Sequence, residues 1–596
     1  MTRRLAAATA AALAILAAAA PAAVAHAQLE GTSPARGAVL KTQPKLVVFR
    51  FGENVEGNFG AVRVYDAKAR RVDDNRVVHP GGRGSQVAVG LKPGLPKGSY
   101  TATYRVISAD SHPVSGGLVF SIGRAGTPPQ TVANLLAGSS TGRITETAFG
   151  IARGLDYLAI AIALGGLAFL LAIWAPALAA AAGAGERWPE AADAFARRAR
   201  RLLFGAIAMG ILAGAAGIVL QGATAAGTSF WSALDPSVVR SVLSTRFGTV
   251  WGLRICAWLL LGGLLAVGAA RSTVRDLRPV AVGAAGVAPS PAPSPLWLAL
   301  LAIPAAFVAI SPALSGHATT QHPVAALLPL DVVHVLAMSA WVGGLWTLLF
   351  VLPEATRRLE GPDRTRLLAA SLSRFSPLAL GCVVALAAAG VTMALIEMGG
   401  ISPLLHTAFG RAVLIKIVLL LALIVLGAAN RQRAVPAMRG LVEAGEPPGD
   451  AGRLLRNTLR AEVALLVVVL GVTSALVSYA PPSEASSGPF SATTRMGPIE
   501  LETTIDPAGV GANQMHVYLF DARSGAPYTK TKQLTVAMSL PDKHIGPLPA
   551  TMRRAGPGHY VADTLQLIPA GDWRMAVTDR VSAFDQFTTN VKVPVR

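Results

Sequence analysis

The order of apolar and polar residues divides the chain into stretches of different character. Residues 28–125 alternate, as in "KLVVFRF", "AVRVYDA", "SYTATYRVIS" and "GLVFSIG". Successive side chains of a strand point to opposite faces, so this period predicts half-buried strands. The turns "PARG", "HPGGRG" and "KPGLPKG" cut the pattern into short pieces, as in a small all-β sandwich or barrel. Residues 126–146, rich in Gly, Ser, Thr and Pro, read as a linker. From 147 to 481 alternation gives way to apolar runs, and a bilayer needs roughly 20 such residues per helix. Eight runs qualify: 147–173, 202–223, 248–270, 295–313, 329–352, 375–397, 409–429 and 460–481. Residues 483–596 alternate again ("PIELETTI", "MHVYLF", "QLTVAMSL", "DWRMAVT") and predict a second small β-sandwich. The expected fold is a multidomain membrane protein: an N-terminal all-β sandwich, an eight-helix transmembrane bundle and a C-terminal all-β sandwich.

The first 25 residues, "MTRRLAAATAAALAILAAAAPAAVA", have a basic start, an apolar run and small residues at the exit. They read as a secretory signal, which places the following domain outside the cytoplasmic membrane. Two small-x-small triplets overlap here. Cleavage after Ala25 leaves His26 as the first residue, whereas cleavage after Ala27 discards it.

Composition agrees with a large membrane part, with 52% hydrophobic and 14% charged residues against about a quarter charged in soluble domains. The net charge of +20 invites a nucleic-acid reading until the arginines are placed. With the first β domain outside, loops 174–201, 271–294, 353–374 and 430–459 fall inside. They hold Arg187, Arg197, Arg198, Arg200 and Arg201 in the first, and Arg431, Arg433, Arg439, Arg453 and Arg456 in the last. Of the outer loops only 224–247 has any, Arg240 and Arg246. This is the positive-inside bias, so the charge reports topology and no nucleic-acid partner is expected. An even number of spans returns the C-terminal domain to the outside. Neither a G-x-x-x-x-G-K-[ST] loop nor a phosphorylatable D-K-T-G occurs, so transport would not be directly ATP-driven.

Candidate chemistry gathers in three places. In "SADSHPVSG", Asp110 and His112 are two apart and share a face of an extended strand. Alone, the pair reads more readily as a surface turn stabilised by Asp and Pro. With His26 at the chain terminus it becomes more, because the α-amine and imidazole of a terminal histidine chelate one metal. His112 adds a third nitrogen and Asp110 an oxygen, a donor set that suits tetragonal Cu(II). This favours cleavage after Ala25. The amine must lose its proton to bind, so affinity should fall at low pH.

The second place is the membrane part. "SGHATTQHP" supplies His317 and His322, and the fifth span opens "LDVVHVLAMSAWVGGLW". On a helix Asp331, His334 and Met338 share one face. Ionisable residues inside a span mark a pathway or a helix contact. The readings are a relay taking copper inward, as Cu(I) where the thioether joins, or a polar cluster fastening helices. The third place is the C-terminal domain, with Met496, Met515, Met538, Met552 and Met575 beside His516, His544 and His559. Met515 alternates with Val517 and Leu519 as core, which leaves Met538 and His544, flanking "SLPDKH", as the candidate pair.

Three motifs in order, "HAQLEGTSPARGAVL", "FGENVEG" and "SADSHPVSG", resemble the CopC-like copper-resistance proteins. The resemblance covers 26–123 and implies Cu(II) bound through His26, Asp110 and His112. This domain has no methionine, so the Met-rich Cu(I) loop of some members is missing. His79 matches no motif and reads as a solvated loop residue. "SGHA", "DVVHVLAMSAWVGGLW" and the paired phrases "TRFGTVWGLR" and "TAFGRAVLIK" resemble the eight-spanning CopD-like family. The two phrases open the third and seventh spans and suggest a weak internal repeat. Their Arg254, Arg411 and Lys416 are expected to snorkel or pair with Asp156, Glu397 or another carboxylate. Such a fusion is similar to the YcnJ-type copper importers, and the C-terminal domain more loosely resembles YtkA-like sandwiches.

The resemblance implies a copper-binding protein of copper import, homeostasis and resistance in a bacterial plasma membrane, both terminal domains extracytoplasmic, and not an enzyme. Its expected partners are copper ions, the bilayer, and an extracytoplasmic copper chaperone or cuproprotein. The alternative is copper sequestration, or oxidase-like redox chemistry, without transport. Haem is disfavoured because only His334 lies well within a span. Cys256 and Cys382 sit at depths differing by roughly 10 Å, too far for a disulfide. They read as small hydrophobes, with Cys256 a minor Cu(I) candidate.

Overall fold

The computed structural model describes residues 29–35, 38–57, 61–109, 113–124, 135, 142–183, 187–227, 229–232, 234–270, 280–283, 286–288, 295–321, 323–398, 400–479, 481–482, 490–506, 508–523 and 527–595. The signal segment therefore lies outside the described residues. Two compact units contain the rest: a helical one, and one holding both β regions with residues 222–241.

The alternating segments fold as expected. Strands β1 (Leu29–Ser33), β2 (Val39–Leu40), β3 (Leu46–Phe51), β4 (Val62–Tyr65), β5 (Asp73–Val78), β6 (Gln86–Leu91), β7 (Gly98–Ile107) and β8 (Pro113–Ile122) form two four-stranded sheets, ordered β1-β3-β6-β5 and β2-β8-β7-β4. Every second residue turns inward, so Val47, Phe49 and Phe51 of β3 meet Tyr100, Ala102 and Tyr104 of β7 in one core. Asp73 is buried at its edge. Burial would raise its pKa, but the Arg71 guanidinium and the amides of Val64 and Asn75 outweigh that and lower it.

Among the described residues eight helices are long and apolar enough to cross a membrane: α1 (Gly142–Ala181), α2 (Arg187–Ala226), α3 (Arg246–Gly268), α4 (Pro295–Leu314), α5 (Val324–Thr356), α6 (Gly361–Met398), α7 (Ala408–Ala444) and α8 (Gly449–Leu476). Several outrun their apolar runs, α6 by a full N-terminal stretch, because intrahelical hydrogen bonding continues into polar flanks that hydrophobicity does not mark.

The bundle repeats itself. Thr245 caps α3, its Oγ1 accepting from Gly248 N–H at 3.1 Å. Thr407 caps α7 in the same way, accepting from Gly410 N–H at 2.9 Å. Short helices, Pro236–Leu243 and Ser402–His406, precede them. A Cβ on Gly248 would overlap the Val242 carbonyl, and one on Gly410 the Pro403 carbonyl. At the centre, Gly165 of α1 faces Gly343 of α5. A Cβ on either would lie 2.7 Å from the other's Cα, and each would strike a carbonyl four residues before its partner, Ser339 or Ala161. Small residues let membrane helices approach this closely. The reciprocity marks Gly165 and Gly343 as equivalent positions of two four-helix halves. Counting back the same number of residues from each glycine sets Asp156 opposite His334 and Arg153 opposite Asp331, and the paired phrases set Arg254 opposite Lys416.

Among the described residues the C-terminal region has nine strands: β9 (Phe490–Met496), β10 (Ile499–Asp506), β11 (Gly511–Asp521), β12 (Gln533–Leu540), β13 (Ile545–Ala550), β14 (Arg553–Gly556), β15 (His559–Leu567), β16 (Gly571–Arg580) and β17 (Gln586–Val595). They form a five-stranded sheet, β9-β10-β11-β15-β14, and a four-stranded sheet, β13-β12-β16-β17. Met515, Val517, Leu519, Val536, Met538, Trp573 and Met575 fill one shared core.

Candidate metal centre

His26, Asp110 and His112 lie outside the described residues, as does His322. What flanks the first three converges. Leu29, close after His26, pairs with Phe51 at the end of β3. The chain then runs through "GENVE", the middle of the "FGENVEG" motif. Glu53 Oε1 accepts from the Ala109 amide at 3.3 Å, beside Asp110. Glu56 and Ile107 exchange backbone hydrogen bonds of 2.8 and 3.0 Å, and Ile107 pairs with Pro113, the residue after His112. One short segment thus links the start of β1 to Ala109 and Ile107 before the D-x-H pair and, through Ile107, to Pro113 after it. His79, expected to be solvated, is half-buried, its Nδ1 2.7 Å from the Gln86 carbonyl.

Two charged groupings occupy the helical unit. In the first half Asp156 of α1 and Arg254 of α3 form an ion pair, both almost fully buried. Arg254 Nε donates to Ser311 Oγ of α4 at 2.6 Å, and its guanidinium lies 4.6 Å from the Trp251 ring centroid. Of the alternatives open to Arg254 from sequence, snorkelling or pairing with Asp156, Glu397 or another carboxylate, the structure contains the pair with Asp156. Arg153 donates to Ser478, just past the end of α8, and rests on Phe149, 4.2 Å from its centroid.

In the second half Asp331 and His334 of α5 lie within electrostatic range of Lys416 of α7. Glu397 lies within electrostatic range of the same ammonium, and His317 within that of Asp331. His334 packs against α6, where a Cβ on Gly390 would be 3.4 Å from its Cε1. Its Nδ1 makes no hydrogen bond. Met338 leaves this group and packs beside the main apolar core, so the helical face chosen from sequence splits into a charged upper part and a packing residue. Lys416 was foreseen only as a snorkelling or pairing cation. Its place beside both Asp331 and His334 needed the fold. Glu462 of α8 was missed, although a carboxylate inside an apolar run was its signal. It is 3% exposed, and its Oε1 accepts from Asn430 Nδ2 at 2.6 Å.

Both cysteines are free, Cys256 exposed and Cys382 buried. The C-terminal pair chosen from sequence does not come together. Met538 is wholly buried, in register with Met575. His544 is exposed, ending the 3-10 turn Pro541–Lys543 in the left-handed region (φ 55°). Strand alternation turns one inward while the turn carries the other out. Instead His516 and His559 meet, Nδ1 to Nε2 at 3.0 Å, with Tyr518 stacked on His559 at 4.3 Å between centroids. Burial, then His516 and Arg553, holds His559 well below the usual histidine pKa. Among the described residues no group of three or more His, Cys, Asp and Glu side chains is arranged to hold a metal.

Comparison with known proteins supplies the family. Residues 29–123 match the CopC domain model, 144–327 the copper resistance protein D-like N-terminal domain, and 369–476 copper resistance protein D. The copper transport protein CutJ of Bacillus subtilis is 26% identical over 575 residues, covering 94% of each chain. Protein YobA of Escherichia coli is 30% identical over 102 residues, which are 17% of this chain and 82% of that one. The crystal structure of CopC from Methylosinus trichosporium OB3b shares 27% identity, covering 18% of this chain and 98% of that one, with a TM-score of 0.15. The chain is a multi-pass membrane protein and belongs to the copper-resistance family in which a CopC domain and a CopD domain are fused in one polypeptide.

Proposed function

We propose that the chain captures Cu(II) outside the membrane at His26, Asp110 and His112 and passes copper inward along the second half of its bundle. Both sandwiches are extracytoplasmic in this reading, which the arginine-rich loops on the opposite side support. The observation that carries the capture site is the segment 51–56. It ties the strand following His26 to the residues on either side of the D-x-H pair. A terminal amine, two imidazoles and a carboxylate would together make the tetragonal N/O set that Cu(II) prefers.

For passage, His317, Asp331 and His334 offer donors at the end of the bundle where α4 finishes and α5 begins. His334 suits the task because its Nδ1 has no hydrogen bond to give up. Lys416 balances the carboxylates until a cation arrives. Simple sequestration would need an anchor, and an anchor needs no ionisable groups inside its helices. CutJ is named a copper transport protein, which supports the same direction of thought. Copper accumulation in cells lacking the protein, complemented by the parent or by His26→Ala, tests the reading. Accumulation should fall on deletion and recover only with the parent. Accumulation unchanged by deletion would end the importer reading, and Cu(II) binding that survives His26→Ala would end the site assignment.

A further inference from the structure

The outer face of the five-stranded C-terminal sheet carries an imidazole pair that the capture and passage of copper leave unused. Its rings are edge to edge. The His516 and His559 planes differ by 17° and their centroids lie 5.3 Å apart, so the 3.0 Å contact between Nδ1 and Nε2 runs nearly along the line of centres. The lone-pair directions of the two nitrogens face each other. His516 is 6% exposed and His559 4%, although both project from the side of the sheet opposite its methionine-containing core.

The protons of this pair can be placed. Gln514 Nε2 donates to Asp563 at 3.3 Å, so its Oε1, 3.3 Å from His516 Nε2, acts as an acceptor. His516 therefore holds its proton on Nε2 and leaves Nδ1 bare, while His559 supplies the shared hydrogen from Nε2. An outer partner that fixes an imidazole tautomer is what metal-bound histidines ordinarily have.

We propose that His516 and His559 form a second metal site, in which a cuprous ion takes the place of the hydrogen between Nδ1 and Nε2. The ligand count decides the metal. Structural zinc takes four ligands and Cu(II) a tetragonal set, whereas a closed-shell monovalent ion is satisfied by two opposed nitrogens. Metal–nitrogen bonds of about 2 Å in line need a separation of about 4 Å, so the ring tips part by about 1 Å. The His559 ring, lying nearly parallel to Tyr518, would slide within its own plane to do so. Tyr518, inclined 12° to His559, keeps its plane.

Two nitrogen–copper bonds form and one N–H bond is exchanged. His559 gives up the Nε2 proton and takes one at Nδ1, so both imidazoles stay neutral and no electron moves. The complex carries the single charge of the ion. Glu502 stands in the same cross-strand row as Tyr518 and His559 and supplies a negative counterpart. The positive charge of Arg553 is already matched by Asp563, which it binds at 3.0 Å.

The test uses the full chain in detergent with His26→Ala, so that the N-terminal site and this one fail separately. Anaerobic titration with Cu(I) against a chromophoric chelator should show one equivalent fewer per chain after His516→Ala and after His559→Ala. Equal Cu(I) stoichiometry in all three proteins would overturn the proposal, as would a loss confined to Zn(II) or Cu(II) binding. If either variant fails to fold, imidazole C2 hydrogen exchange in the unsubstituted pair gives the answer by mass spectrometry. Cu(I) should change the exchange of both His516 and His559 peptides, and unchanged exchange at both would overturn the site.

Discussion

Asp156 and His334 stand at equivalent points of α1 and α5, the same number of residues before the glycines at which these helices touch. Their surroundings begin alike and end differently. A cation follows on the third helix of each half, Arg254 or Lys416, on a helix opened by the same threonine cap and the same crowded glycine. In the first half a carboxylate meets a guanidinium and the two close on each other, with Ser311 completing the arrangement. In the second half an imidazole takes the carboxylate's place. The acid moves one turn earlier, to Asp331, and the cation is a flexible ammonium shared with Glu397. Arginine's planar fork suits a fixed pair, whereas lysine is a point charge on a long stem. The first half closes on its own ion pair, and the second leaves an imidazole nitrogen of His334 without a hydrogen bond.

Breaking the closed half should have the largest effect on stability. Asp156→Ala strands the Arg254 charge in the bundle, and removing one partner of a buried pair costs about 3–5 kcal/mol. The melting temperature in detergent should drop sharply. Asp156→Leu combined with Arg254→Met should recover most of it, and equal melting of Asp156→Ala and parent would show that the pair does not hold the half together. Next comes the contact that relates the halves. Gly343→Leu puts a side chain where the Gly165 backbone lies, and overpacking of this kind costs about 1–3 kcal/mol or more. Thermal melting checks it, with a parallel loss expected from Gly165→Leu.

A smaller change is expected from Lys416→Met. Asp331 would lose its cation, and stability should fall by less than for Asp156→Ala, because Asp331 is only partly buried where Asp156 is completely so. A larger loss than Asp156→Ala would reverse the assignment of the closed and open halves. The smallest effect belongs to Met538→Leu, a volume-conserving change within an apolar core that costs under about 1.5 kcal/mol. Copper stoichiometry should not move, since Met538 faces the core and not His544.

The sequence made the larger architecture readable because burial writes its own period. Alternation marked both sandwiches, long apolar runs marked the eight spans, and the paired phrases hinted at the repeat. The helix ends were not readable, since polar flanks continue a helix without any apolar signal. Nor was the division of the face carrying Asp331, His334 and Met338. Helical spacing places residues on one side, but the neighbouring helices decide which of them meet charge and which meet leucine. The His516–His559 pair was hidden for a related reason. The residues lie 43 apart, and only the pairing of β11 with β15 makes them neighbours. Met538 and His544 looked close because they are close in sequence, and a strand followed by a left-handed turn sends them apart.

The central claim is that the second half, and not the first, carries copper because an imidazole stands where the first half has a carboxylate. His334→Asp tests it most directly, since it gives the second half the residue that the first half has opposite it. At equal abundance in the membrane, copper accumulation in cells carrying His334→Asp should fall to the level of cells lacking the protein. Accumulation equal to that of the parent would contradict the account.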